Sequence, residues 1–410
     1  MLKTTAQNSR LFAVLLLGFS SGLPLALTGS TLQAWFSTAN VSLVTIGALS
    51  LIGIPYTWKF LWAPLLDYFV PPMLGLRRGW MLIMQLGLCV SLFFLSFLHP
   101  EKQTLLIGYV ALFIAFLSAS QDMAIDAYRT DILLPEERGL GSAVYIFSYR
   151  MAMLVSGGFA LILAEQIGWQ LTFEIMAVLM ALMAIVSFCA PDVAYHKKPA
   201  TLYKIMGESF KDLLKRQKII WILLFILFYK IGDALALSLM TNFLLHTLEF
   251  SLTQVGFAYK TVGLLATILG ALCGGLLLVR MSLFNALLWF GLLQAFSNIC
   301  FMFLALVGKN YLLMAASIFI ESFCSGLSTA AFVAFLMSLC HHEYTATQFA
   351  LLSAVASVGR VFSGPIASAM VLQIGWSHFF AATVVLSFPG IILLMSLRRR
   401  IYFNNAEATV

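Results

Sequence analysis

Apolar residues fill this chain in long blocks, and most of the breaks between them are short and polar. A helix needs roughly 20 mostly apolar residues to cross the hydrocarbon core of a bilayer. By that measure twelve spans are predicted, at residues 11–36, 43–66, 79–98, 104–128, 139–165, 171–190, 219–246, 255–279, 284–307, 310–339, 347–373 and 379–397. The first block passes Pro24 and reaches Phe36 without an A-x-A cleavage site, and a second block follows closely. It therefore reads as a retained helix, not a cleaved leader. One connection is long. Residues 191–218 carry seven Lys or Arg and divide the chain into a six-helix unit at 1–190 and another at 219–410. Within that linker Leu202, Ile205, Met206, Phe210, Leu213 and Leu214 have amphipathic spacing, which predicts a helix lying on the membrane surface.

The two halves repeat each other. Ser42-Leu43-Val44-Thr45-Ile46-Gly47 opens the second span, and Ser251-Leu252-Thr253-Gln254-Val255-Gly256 opens the eighth, 209 residues later. Gln166-Ile167-Gly168-Trp169 returns as Gln373-Ile374-Gly375-Trp376, 207 residues later. Two similar offsets, each near half the chain, point to a duplicated six-helix unit. Paired six-helix bundles related by an axis along the membrane normal form the major facilitator architecture. The expected fold is thus all-α and membrane-embedded, with two pseudo-symmetric bundles.

Composition agrees: 61% of the 410 residues are hydrophobic and 10% are charged. Soluble domains run near 45–50% apolar and about 25% charged. The net charge of +7 would suggest nucleic acid only if it formed a surface patch, but the basic residues sort by side instead. With the N-terminus inside, 17 Lys or Arg fall in cytoplasmic segments and only Lys102 and Lys309 fall opposite. That bias requires an even number of spans and places both termini in the cytoplasm. Cys89, Cys189, Cys273, Cys300, Cys324 and Cys340 form no C-x-x-C pair, so neither disulfides nor a zinc site are expected, and no cofactor is. There is no Walker loop, G-x-S-x-G or H-E-x-x-H. The chain is read as a transporter, not an enzyme, and uphill work must draw on an ion gradient or a partner.

Charges at membrane depth are costly, so they face the protein interior, pair, or serve a pathway. In the fourth span Asp122, Asp126 and Arg129 lie on one helical face, which suits a proton site or a cytoplasmic latch closed by Arg129. The seventh span carries Lys230 and Asp233, which can pair with each other or serve a substrate or proton near the midplane. Glu321 in the tenth has no local cation. The expected proton carriers are therefore Asp122, Asp126, Asp233 and Glu321. Lys59, Arg150, Lys230 and Lys260, with Gln33, Gln121, Tyr145 and Tyr149, are the expected substrate contacts, and a cavity rich in cations suits an anionic solute. Arg360 is read as a gate residue. Glycines Gly270, Gly274 and Gly275 are expected to admit close helix contact. Between the second and third spans, Asp67 through Arg77-Arg78-Gly79 resembles the acidic–basic loop of major facilitator proteins, with Asp67 and the two arginines expected to gate.

Longer stretches resemble one family. They are Gly18-Phe19-Ser20-Ser21-Gly22-Leu23-Pro24, Thr31-Leu32-Gln33-Ala34-Trp35, Lys59-Phe60-Leu61-Trp62-Ala63-Pro64, Gln121-Asp122 with Asp126, Pro135-Glu136-Glu137-Arg138-Gly139, Tyr149-Arg150, Tyr229-Lys230-Ile231-Gly232-Asp233, Lys260-Thr261-Val262-Gly263 and Ala346-Thr347-Gln348-Phe349-Ala350. Together they are similar to the muropeptide permeases of the AmpG type. The resemblance implies proton-coupled import of glycopeptide-like anhydromuropeptides across a bacterial inner membrane; a monomer without nucleic acid is expected. Permeases of this type carry hydrophobic segments beyond the twelve, whereas this chain reaches Val410 soon after Arg400. Related sequences carry other bulky polar solutes, so a siderophore or an acyl-coenzyme A is the alternative cargo. A non-transporting sensor on the same scaffold is the third reading. The ionisable residues within the spans speak against it.

Overall fold

The computed structural model describes residues 2–72, 74–134, 137–192, 218–278, 280–339 and 345–398. The expected surface helix at 202–214 and the Arg399–Arg400 pair lie outside them. Among the described residues there is no strand, and ten helices are long and apolar enough to cross a membrane. They are α1 (Asn8–Thr38), α2 (Leu43–Leu61), α3 (Gly75–Ser96), α4 (Pro100–Ile132), α5 (Val144–Ile167), α6 (Trp169–Cys189), α7 (Ile219–Thr247), α9 (Leu283–Val307), α10 (Tyr311–Ser338) and the run Leu351–Arg398. The shorter apolar helix Gly263–Leu278, continuous with Leu252–Phe257 and a π-helical turn at Ala258–Val262, is α8. Leu105, Leu276 and Leu312 are 78%, 71% and 79% exposed, an apolar exterior that only lipid solvates well.

Leu351–Arg398 is 48 residues long and is two crossings, not one. Drawn straight at 1.5 Å per residue, it would hold Gly359 and Gly390 about 46 Å apart. Yet a Cβ on Gly359 would touch Leu227, and one on Gly390 would touch Phe228 and Tyr229. Both glycines therefore meet the same turn of α7, so the chain doubles back between them. It does so at Gly375, whose φ of 73° and ψ of 171° leave helical space. The arms are α11 (351–374) and α12 (376–398). With α8 included, these long apolar helices among the described residues run from α1 to α12.

The chain sorts into two compact units. The first comprises Met1–Val41, Ile52–Ala200 and Ser251–Gly256. Its core joins Val14 and Leu17 of α1, Met81 of α3, Ala124, Ile125 and Tyr128 of α4, and Tyr145 of α5. The second comprises Ser42–Leu51, Thr201–Phe250 and Phe257–Val410. There Phe225 and Tyr229 of α7 pack on Phe332 and Phe335 of α10, with Tyr229 stacked on Phe332 at 5.3 Å. Gly270 and Gly326 let α8 and α10 touch backbone to backbone; a Cβ on Gly326 would collide with the Thr267 carbonyl oxygen. Gly274 also packs on α10, but Gly275 faces open space, so the glycine seam is narrower than its sequence suggested.

Repetition extends to backbone detail. Gly168 adopts φ 86°, ψ 164° between α5 and α6, nearly the angles of Gly375 between α11 and α12. Trp35, Trp169 and Phe173 cluster with ring centroids 4.9–6.3 Å apart. The corresponding trio, Phe243, Trp376 and Phe380, sits at 4.8–6.0 Å. Ser42 and Ser251 each cap the helix they open, accepting from Thr45 N–H and Gln254 N–H. α2 and α8 are both interrupted soon afterwards, by a 3₁₀ turn at Leu49–Gly53 and by the π turn at Ala258–Val262.

Two of the spans are broken. α2 passes through 3₁₀ turns at Leu49–Gly53 and Lys59–Leu61, with Pro55 and Pro64 each near the start of the helical piece that follows. A proline ring contributes no N–H and fits a first turn better than an interior. α7 is Ile219–Tyr229, Ile231–Ser238, Met240–Asn242 and a π turn at Phe243–Thr247. Irregular backbone at membrane depth is tolerated where protein, not lipid, surrounds it.

Candidate functional site

The break in α7 falls at Lys230, whose φ of −108° and ψ of 6° end one helical piece and begin the next. Asp233 therefore sits in the first turn of a new helix. Lys230 Nζ lies 4.0 Å from Asp233 Oδ2 and donates to Thr329 Oγ1 of α10 at 3.3 Å. From α9, Gln294 donates Nε2 to Asp233 Oδ1 at 2.7 Å and to Glu321 Oε1 at 3.4 Å. Glu321 is 2% exposed, accepts from Ser322 Oγ at 3.2 Å, and also meets the Asp233 carboxyl as a hydrogen-bond partner. Tyr259 of α8 and Arg360 of α11 lie within electrostatic reach of this group. Three helices thus bring one ammonium and two carboxyls together away from water. Glu321, which has no cation on its own helix, finds its partners across helices.

In the first unit the acids of α4 separate by partner. The Asp122 carboxylate accepts a short hydrogen bond from Ser21 Oγ, which in turn accepts from Tyr145 OH at 2.8 Å. Asp126 pairs with Arg129 at 3.1 Å, and the Arg129 guanidinium lies 4.2 Å over the Tyr145 ring. Lys59, at the start of a 3₁₀ turn in α2, acts on both carboxylates. The Asp126 side chain is 48% exposed, so the two acids share a face but not an environment. Gln121 is fully buried and donates to the Ser20 carbonyl at 2.9 Å. Tyr149 stands 6.2 Å from Tyr145, Gln33 is buried, and Arg150 and Arg360 are exposed. The side chains of Asp67 and Lys260 lie outside the described ones.

A second set of ion pairs ties helix ends. Arg77 reaches Asp131 at the end of α4 at 3.1 Å. Arg78 donates to the Ser187 and Phe188 carbonyls closing α6 and lies 3.8 Å from Asp192. Arg10 grips Glu137 with two bonds, Nε–Oε2 at 3.0 Å and Nη2–Oε1 at 2.5 Å. The guanidinium holds the Glu137 carboxyl below the usual range for a glutamate.

Sequence reasoning missed Gln85, Gln294, Ser21, Thr329 and Tyr259. For the glutamines a signal existed. Gln85 and Gln294 are 209 residues apart, the offset of Ser42 and Ser251, and both interrupt apolar spans. Gln85 is fully buried in α3 and donates Nε2 to Ser20 Oγ of α1 at 2.8 Å. Each unit thus has its third helix hold its first through a buried amide. Ser21, Thr329 and Tyr259 carry no such mark and are identified by contact alone.

Comparison with known proteins places this architecture. The Major Facilitator Superfamily model matches residues 10–362. The anhydromuropeptide permease of Escherichia coli (strain K12) is 47% identical over 403 residues, covering 98% of this chain and 82% of that protein. A putative transporter AmpG 1 of Rickettsia conorii is 31% identical, covering 96% of this chain and 99% of the relative. Among solved structures, the nucleoside transporter NupG superposes with a TM-score of 0.71 at 13% identity, covering 96% of this chain and 98% of that one. The chain is a multi-pass membrane transporter that belongs to the Major Facilitator Superfamily and, within it, to the family of the anhydromuropeptide permease.

Proposed function

We propose that this protein imports anhydromuropeptides from periplasm to cytoplasm together with protons, as a monomer in a bacterial inner membrane with both termini cytoplasmic. The observation that carries the solute is the 47% identity to the anhydromuropeptide permease across nearly the whole chain. In this reading residues 1–190 and 219–410 are the two transport domains and 191–218 is their cytoplasmic linker. Lys59, Lys230 and Lys260, with Gln33, Gln121, Tyr145, Tyr149 and Arg150, contact the solute. Asp122, Asp126, Asp233 and Glu321 handle protons, Asp126 also latching Arg129, and Asp67, Arg77, Arg78, Arg129 and Arg360 gate.

Proton coupling is supported by charge counting. Lys230, Asp233 and Glu321 together carry one net negative charge when both acids are ionised, Arg360 being an exposed cation at the edge of the group, and burying net charge is costly. One proton makes the group neutral. The membrane potential gives the energetic reason for such a proton. One charge crossing about 100 mV is worth roughly 2.3 kcal/mol, against an anionic solute moving inward. An accompanying proton removes that penalty.

The test is uptake by proteoliposomes of labelled anhydromuropeptide under an imposed proton gradient, with a siderophore and an acyl-coenzyme A as competing cargoes. Accumulation of the muropeptide that collapses with an uncoupler is expected. Accumulation of either competitor in its place would transfer the reading to that solute, and uptake indifferent to the uncoupler would remove the protons from it.

A further inference from the structure

We propose that Gln294 is the positioning residue that makes Asp233 and Glu321 a single proton-binding pair. This rests on the proton-coupled reading above and names the side chain that organises it.

Three observations converge. Gln294 is only 5% exposed, and its one amide nitrogen reaches carboxyls on two different helices, Asp233 on α7 and Glu321 on α10. Among the described residues its carbonyl oxygen is buried without a hydrogen-bond partner, so the contacts that orient the group are those to the two acids. A buried amide normally satisfies both ends, and here the end that is satisfied is the donor facing the acids. The third observation is an internal control. At the repeat-related place in the first unit, Gln85 makes the same reach from the third helix to the first, again with its carbonyl oxygen unpartnered. There the partner is the neutral Ser20 hydroxyl. The amide is thus a feature of the scaffold, and in the second unit alone it has been turned upon two acids.

The chemistry follows from donor and acceptor roles. An amide N–H₂ supplies two donors and binds ionised carboxylates. Two carboxyls facing each other hydrogen bond only across a proton. With Gln294 holding both, a proton taken by either carboxyl is shared at once with the other, and the pair binds one proton as a unit. Among the described side chains, the charged or titratable groups that face this pair are Lys230 on α7, Tyr259 on α8, Cys324 on α10 and, through Lys230, Arg360 on α11. Lys230 lies 4.0 Å from Asp233, so a proton entering the pair leaves the trio of Lys230, Asp233 and Glu321 neutral.

The experiment reads protonation directly. Infrared difference spectra of the purified full chain, recorded across pH, report the protonated-carboxyl stretch, assigned to the pair by its loss in Asp233→Asn and in Glu321→Gln. Gln294→Met removes the donors at nearly constant volume. Proton binding by the pair should then tighten about tenfold, moving the midpoint by about one pH unit. Gln294→Asn, which keeps an amide one methylene shorter, should move it less. Gln85→Met should leave it in place. A midpoint unmoved in Gln294→Met, or moved equally by Gln85→Met, overturns the proposal, as does a carboxyl band lost in only one of the two acid variants. If Gln294→Met fails to fold, Gln294→Asn against Gln85→Asn decides by the same comparison. No solute enters the measurement, so a protein importing a different cargo still answers it, while the uptake test above judges the transport reading separately.

Discussion

Lys230 and Asp233 face each other at 4.0 Å across a break in α7, with side chains 17% and 12% exposed. A pair so placed contributes little net stability, because desolvation offsets most of the attraction. Removing one partner is different, since it strands a buried charge at a cost of about 3–5 kcal/mol. Lys230→Met alone should therefore lower the unfolding temperature sharply, and adding Asp233→Leu should restore most of it. Transport should not return with stability. Thermal unfolding and uptake measured on the single and double variants check this, and normal uptake by the double variant would reduce the pair to a structural couple.

Gly168 and Gly375 share a backbone conformation open essentially to glycine, near φ 80° with ψ close to 170°. Beyond the adjoining backbone, no described atom lies within 4 Å of a Cβ added at either position, so the cost of alanine there is conformational. Gly168→Ala and Gly375→Ala should each destabilise by about 1–3 kcal/mol. Gly275→Ala, in helical backbone with equal free space, should gain about 0.5–1 kcal/mol. Unfolding of the three variants under one condition separates strain from crowding.

These glycines also show what was legible in advance. Gln-Ile-Gly-Trp stood out twice in the sequence, and the structure gives both copies the same turn, because a reversal between adjacent spans needs a residue free of Cβ strain. The spans themselves were legible because lipid demands long uninterrupted apolar runs. Breaks inside them were less so. A proline is a sequence mark for irregularity and Pro55 stands in α2, but nothing local marks the break at Lys230, where the surrounding helices support the backbone. The acids were legible as costly residues, their partners only in part. Asp122 and Asp126 share a helix face as their spacing required, yet one meets a serine and the other an arginine. Gln294 looked like one polar residue in an apolar span until α9 placed it between two carboxyls.

Arg10 and Glu137 join the start of α1 to the segment between α4 and α5 through two hydrogen bonds. Since Arg10 holds the Glu137 carboxyl below its ordinary 4.5, the folded state binds that proton less readily than the unfolded chain does. The contribution is therefore complete above the unfolded value and fades as pH falls through the folded one. Glu137→Gln should lower the unfolding temperature at pH 7, and the gap from wild type should close progressively below about pH 4.5. A gap independent of pH would assign the loss to packing.

Asp122 and Glu321 are the acids whose loss should separate coupling from solute movement. Each is held by neutral hydrogen-bond donors, Ser21 for Asp122 and Ser322 with Gln294 for Glu321, not by the bidentate guanidinium that fixes Glu137. A hydroxyl or amide donor supports an ionised carboxylate, yet it releases that carboxylate more cheaply than an ion pair would when a proton arrives. Asp126, tied to Arg129 at 3.1 Å, is the less suitable carrier. Asp122→Asn and Glu321→Gln keep the shape and remove the ionisable group. Each should abolish accumulation driven by a proton gradient, worth about fiftyfold for one charge at roughly 100 mV. Counterflow, in which labelled solute exchanges for unlabelled with no net proton movement, should persist within a factor of about two to three. Asp126→Asn should weaken both modes together, as loss of a latch would. Counterflow lost along with accumulation in Asp122→Asn and Glu321→Gln would make these acids solute contacts or gates, and the protons would have to travel elsewhere.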